Sequence, residues 1–169
     1  MRRITWLALL TVSPLALAQN AKVPDFLQRI DSVSSRPFCR TYGCRPLKVT
    51  VGPHETYPSV VLTTSRYEIQ KIFGQLTIIR MTDGYVYDMQ LTASAYPLAE
   101  THAQAFSALT KDLLNLSLTK DELNTCLNNA RKEKDLGMYL TLVDQWAVGC
   151  ALIPQDGGFK SVLSIWPIG

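Results

Sequence analysis

The chain of 169 residues carries only two histidines, and each stands close to a carboxylate. His54-Glu55 follows Gly52-Pro53 in an expected turn, where an imidazole and a carboxylate can serve as base and orienter or as metal ligands. Adjacent side chains on an extended strand point to opposite sides, so this pair cooperates only if the chain bends. Glu100 and His102 are two apart on an expected helix and do not share a face. Asp88 and Asp144 each interrupt or end a β-like run, and an acid–base pair of the glycosidase kind would be drawn from such carboxylates. No Gly-x-Ser-x-Gly elbow is present to raise a nucleophilic serine. An exported hydrolase would therefore assemble its site from sequence-distant residues, with His54, Glu55, His102, Asp88 and Asp144 as the candidates.

The segment from Arg36 to Lys48 is the most distinctive stretch. Arg36, Phe38, Arg40, Tyr42, Arg45 and Lys48 place four basic and two aromatic side chains around Cys39 and Cys44 without an intervening acid. A disulfide loop of that kind presents a cationic and aromatic contact surface to an envelope or extracellular protein, a glycan or an anionic lipid. Tyr85, Tyr87, Tyr96, Trp146 and Trp166 form a second aromatic set, expected as packing or as the lining of a cleft.

Positioning these residues begins with an export signal. Arg2 and Arg3 precede an apolar stretch from Ile4 to Val12, and Ala16 and Ala18 occupy the small-residue positions of a cut before Gln19. Residues 1–18 are read as a secretory signal peptide and residues 19–169 as a single secreted or periplasmic domain. No later apolar run approaches the roughly 20 residues of a membrane helix. Removing 18 residues from 169 leaves 151, and without Arg2 and Arg3 the 15 remaining Lys and Arg face 14 Asp and Glu. A net charge of +1 gives no broad basic surface for nucleic acid.

Four cysteines in an exported chain predict two disulfides. Three connectivities are open. The five-residue step with Gly43 in its turn favours Cys39 with Cys44, which leaves Cys126 with Cys150. None of these pairs has zinc-ribbon spacing, and no Cys-x-x-Cys redox motif occurs, so no metal or cofactor is expected.

Periodicity supplies the scaffold. Pro24, Phe26, Leu27, Ile30 and Val33 predict a short amphipathic helix ending at Ser34 to Pro37. Val49 to Val51, Ser59 to Thr64 and Gln75 to Thr82 read as strands. Asp83-Gly84 predicts a two-residue hairpin that sets Leu76 against Leu91, Ile78 against Met89 and Arg80 against Tyr87. The stripe Leu98, His102, Ala105, Phe106, Leu109, Leu113 and Leu116 predicts one helix, and Thr119 to Glu122 is a capping box opening another. Met138 to Val143, Ala147 to Ile153 and Phe159 to Trp166 complete the strands. The order predicts an α+β domain with a largely antiparallel sheet, a short N-terminal helix, two central helices and disulfide staples. With no assembled catalytic constellation, the expected function is an exported binding or interaction module. A self-associating structural envelope component is the further alternative, and it would use exposed strand edges.

Overall fold

The computed structural model describes residues 30–133 and 137–168. The signal peptide, most of the expected helix from Pro24 and part of the charged stretch after Arg131 lie outside these residues. A 3-10 turn, Ile30–Ser35, leads into helix α1, Pro37–Tyr42, and strands β1, Cys44–Pro53, and β2, Val61–Ile69. After a second 3-10 turn, Gln70–Ile72, come β3, Gly74–Met81, and β4, Val86–Ala93. Helices α2, Glu100–Leu114, and α3, Lys120–Lys132, precede β5, Met138–Val143, β6, Trp146–Gln155, and β7, Gly158–Pro167.

All seven strands form one antiparallel sheet in the order β1-β2-β3-β4-β7-β6-β5. The expected α+β architecture with two disulfides is therefore present. Each half of the sheet is a meander of local hairpins. The α2–α3 pair is the one long connection, and it lets the C-terminal strand join β4 at the centre. Leu76, Ile78, Met89, Leu91 and Leu163 turn one face inward, and Phe106, Leu109, Leu123 and Leu127 of the helices close over it; all nine are fully buried. Period two along the strands and a three-to-four-residue stripe along the helices are what build such a two-layer core.

Three expectations change in detail. The Cys39–Cys44 segment is not a loop, because α1 occupies it. Pro37 suits a first helical turn, and Gly43, at φ +74°, ends the helix with its N–H donated to the Cys39 carbonyl. At the β3–β4 hairpin, Leu76↔Leu91 and Ile78↔Met89 pair as expected, but Arg80 faces Val86 rather than Tyr87. The turn closes wider, with Met81 N–H donating to the Tyr85 carbonyl and Gly84 N–H to the Met81 carbonyl, so one residue of β4 is left over as a bulge. The stripe from Leu98 to Leu116 overshoots its helix at both ends. Leu98 N–H is held by the Asn124 side chain, and Asn115, at φ +55°, ends α2. The capping box of α3 is complete, as Thr119 Oγ1 accepts from Glu122 N–H and Glu122 accepts from Thr119 N–H.

The two disulfides are Cys39–Cys44 and Cys126–Cys150, with sequence separations of 5 and 24. In the chain-entropy account the longer loop is worth about 3 kcal/mol and the shorter about 2 kcal/mol. Denaturant unfolding of the Cys126→Ala/Cys150→Ala and Cys39→Ala/Cys44→Ala double variants is expected to rank them in that order. Equal losses would contradict loop closure as the source of the stabilisation.

Candidate functional site

Covering one face of the sheet with helices leaves the other to solvent, and the strand registers decide what stands there. One row runs across all seven strands: Lys48, Arg66, Thr77, Gln90, Ser164, Gly149 and Tyr139. Thr50, Thr64, Ile79 and Asp88 form the row beside it. An antiparallel sheet wetted on one side requires polar residues there, and these rows satisfy that requirement. They are also sorted, with cations toward the β1–β2 side and aromatics toward the β7–β6–β5 side.

The bulge in β4 adds depth. Opposite Arg80 the strand carries an additional residue, so Tyr87 and Asp88, although consecutive, both line the uncovered side. There they bound a cavity of about 480 Å³ with Met138, Gly149, Ser164 and Trp166. The indole of Trp166 lies across Gly149; a Cβ on that glycine would come within 2.7 Å of the ring and of the Met138 carbonyl oxygen. Only glycine lets the indole sit on the sheet, an arrangement that shelters an otherwise bare strand position. Tyr139 meets the same indole edge-on, with centroids 6.4 Å apart.

Among the described residues Asp88 is the charged group lining this cavity. Its Oδ2 accepts a 2.6 Å hydrogen bond from Gln90 Nε2, whereas its buried Oδ1 has no partner in hydrogen-bonding geometry. Burial pushes the Asp88 carboxyl above the usual carboxylate range; the Gln90 hydrogen bond and the nearby Met89 N–H offset part of that rise. A buried carboxylate oxygen with few donors is costly to the folded protein.

Tyr87 is also the wall of a second depression, of about 450 Å³, which His54, Thr64 and Ile79 share. Thr64 and Ile79 in turn border a third, of about 380 Å³, whose polar lining includes Arg66, Gln75, Gln90 and Lys160. His54 is fully engaged. Its Nδ1 accepts from Thr56 N–H at 3.0 Å and Tyr57 N–H at 3.2 Å, which assigns the ring hydrogen to Nε2, 2.9 Å from Tyr87 Oη. The imidazole thus braces the β1–β2 turn and holds the Tyr87 ring.

Of the five candidates for chemistry, His54 and Asp88 line the connected depressions, and the exposed Glu55 borders the second. His102 belongs to the helical layer, half-buried on α2 with its Nδ1 lacking a partner. Asp144 is exposed in the β5–β6 turn at φ +53°. Among the described residues no group of three or more His, Cys, Asp or Glu side chains converges as a metal site requires.

The cationic and aromatic segment does not stay together. Phe38 is buried and stacks on Tyr42 at 5.1 Å, and burial pushes the Tyr42 phenol up. Arg36 bonds Asp112 through both its carboxylate, at 3.0 Å, and its backbone carbonyl, at 2.9 Å; Asp112 Oδ2 also accepts from Phe38 N–H. Arg40 is exposed on α1, and Arg45 pairs with Glu68 at 2.6 Å. Lys48 alone of the six joins the long row of the uncovered face without an ion pair. Of the second aromatic set, Tyr87 and Trp166 line the cavity. Trp146 is buried, Tyr96 packs on Phe159 and Arg131, and Tyr85 stands exposed beside the hairpin turn.

Two measurements test these roles. The Asp112 side chain is 7% exposed and both its oxygens are bonded at the start of α1, so Asp112→Ala is expected to cost about 2–3 kcal/mol of unfolding free energy. A loss below half a kcal/mol would show that α1 is held otherwise. For Asp88 the raised carboxyl means that the folded state keeps a proton the unfolded chain releases. Its contribution to stability therefore falls as pH rises from the unfolded value toward the folded one. The melting temperature of Asp88→Asn minus that of the parent should be smallest at low pH and grow as pH rises through that window. A pH-independent difference would contradict a desolvated carboxyl.

Comparison of the chain with models of known protein families, with curated proteins and with solved structures found no match. The functional reading accordingly rests on the residues of this face.

Proposed function

We propose that the protein is an exported binding module that holds its ligand on the uncovered face of the sheet, with the Asp88–Trp166 cavity as the anchoring pocket. The observation that carries this reading is a partly exposed indole seated on Gly149 in the same cavity as the Asp88 carboxylate. An apolar ring face next to a few convergent polar groups is the make-up of a small-molecule site. The ligand that fits is a ring with a flat apolar side and hydroxyl or amide donors at its rim. Two disulfides are compatible with an extracellular or periplasmic location, in keeping with the export signal. No helix among the described residues is long and apolar enough to cross a membrane.

Binding is favoured over hydrolysis by the state of the candidate groups. Both His54 nitrogens are committed to structure, and among the described residues Asp88 is the one carboxylate lining the Trp166 cavity, where a glycosidase places two. Self-association draws on a different observation: Leu47, Val49 and Val51 are 51%, 59% and 68% exposed along edge strand β1. Pro46, Lys48 and Pro53 interrupt that same edge, in the way natural sheets blunt pairing between copies.

Tryptophan emission of the purified protein, titrated with monosaccharides, N-acetylated amino sugars and aromatic amides, tests the binding reading. At least one class is expected to shift the emission of the parent and not that of Trp166→Phe. Gly149→Val, which displaces the indole, should weaken the same response about tenfold, the scale of one aromatic contact. No response to any member of the panel would overturn the assignment.

A further inference from the structure

We infer that the three depressions act as one site and that its ligand is an acidic glycan, a chain of sugar rings bearing carboxylates, with one ring against Trp166 and its acidic groups toward Arg66 and Lys160. This rests on the binding reading above and extends it from one ring to a polymer. Continuity comes first. Tyr87 borders both the first and the second depression, and Thr64 and Ile79 border both the second and the third. The side-chain amide of Gln90, which lines the third, donates to Asp88, which lines the first.

Charge complementarity sets the class. Arg66 and Lys160 are both exposed in the third depression, and among the described residues neither forms an ion pair and no acidic side chain lines it. Lys48 continues the Arg66 end in register, and Lys160 stands across the depression on β7. Between the two ends the floor is made of Thr64, Gln75, Thr77, Gln90 and Thr92, side chains that both donate and accept and therefore match hydroxyls.

Distance sets the length. Arg66 on β2 and Trp166 on β7 are separated by three inter-strand steps, about 14 Å at the usual sheet spacing. One ring does not reach both, whereas a chain of several does. Nucleic acid fits less well. Along this face its phosphates would meet Arg66 and Lys160 as the cations of the third depression, whereas a nucleic-acid surface neutralises several phosphates at once. A lipid surface would meet polar rows rather than an apolar face.

Calorimetric titration with galacturonate, hyaluronan and alginate oligomers of two to eight sugars, beside neutral malto-oligomers, tests the inference. At least one acidic series is expected to bind at least tenfold more tightly at six sugars than at two, and to weaken as salt is raised. Arg66→Gln/Lys160→Gln should cut the affinity for that hexamer about tenfold and leave the Trp166 response to single rings unchanged. Trp166→Phe should weaken both. Length-independent binding, equal binding of the neutral series, or tighter binding of oligothymidylate or phosphatidylglycerol vesicles would overturn it. If single rings still shift Trp166 emission in any of those cases, the pocket stands and only the polymer is wrong; if no ring and no chain binds, both readings fall.

Discussion

The uncovered face depends on one irregularity at the centre of the sheet, the additional residue that β4 carries opposite Arg80. Strand side chains alternate with period two, so a register change of one residue exchanges the two faces. From Leu76 to Ile79 the β3–β4 pairing keeps Ile78, Met89 and Leu91 in the core, and beyond it the bulge absorbs the change. Val86 stays buried opposite Arg80, and Tyr87 is freed to stand beside Asp88 on the wetted side. Without the bulge Tyr87 would face the helices, and the wall shared by two depressions would be missing. Bulges re-aim side chains in this way next to functional sites.

A second constraint links the core to the same face through β6. Consecutive residues of a strand point to opposite sides, and Cys150 and Gly149 are consecutive. Cys150 faces the helical layer and is bonded to Cys126 of α3, so β6 is pinned from below. Gly149 faces away and carries the indole of Trp166. The disulfide that fixes the helix to the sheet thereby fixes the seat of the pocket. The other staple acts at the far corner, where Cys39–Cys44 and the Asp112 bonds to Arg36 and Phe38 N–H hold α1 against α2. Helices held on one side at both corners leave the opposite side free.

Much of the fold was legible in the residues. The capping box at Thr119, the β-branched runs and the cysteine spacing each act locally, and each is found as expected. Helix α1 was not, because the acceptor that caps Phe38 N–H is Asp112, 74 residues away. The bulge was hidden because Asp83-Gly84 suits a tight turn, whereas the hairpin closes between Met81 and Tyr85. The arginine-rich segment divides between layers for a similar reason. Its charges are contiguous in sequence, but β1 sends Lys48 to one face while Phe38 and Arg36 serve the helical layer. Tyr87 and Trp166 were visible as aromatic residues. Their meeting place was not, since Gly149, Ser164 and Gln90 come together only through the long connection that inserts β7 beside β4.

That insertion also explains why the face is polarised. In sheet order the two N-terminal strands bring Lys48 and Arg66 to one side, and the three C-terminal strands bring Tyr139, Gly149 and Trp166, with Lys160 of β7, to the other. The β3–β4 hairpin lies between them and contributes the uncharged floor together with Asp88. A carboxylate needed only for solubility would stay wet, as Glu68 does beside Arg45 on the same face. Here a carboxylate is drawn into a cavity against its own hydration, and an indole is held half in water on a glycine that accepts no side chain. The first costs stability in the free protein and is not required by the core on the opposite side, whereas the second shelters Gly149. The drawn-in carboxylate is the feature of this cavity that packing leaves unexplained.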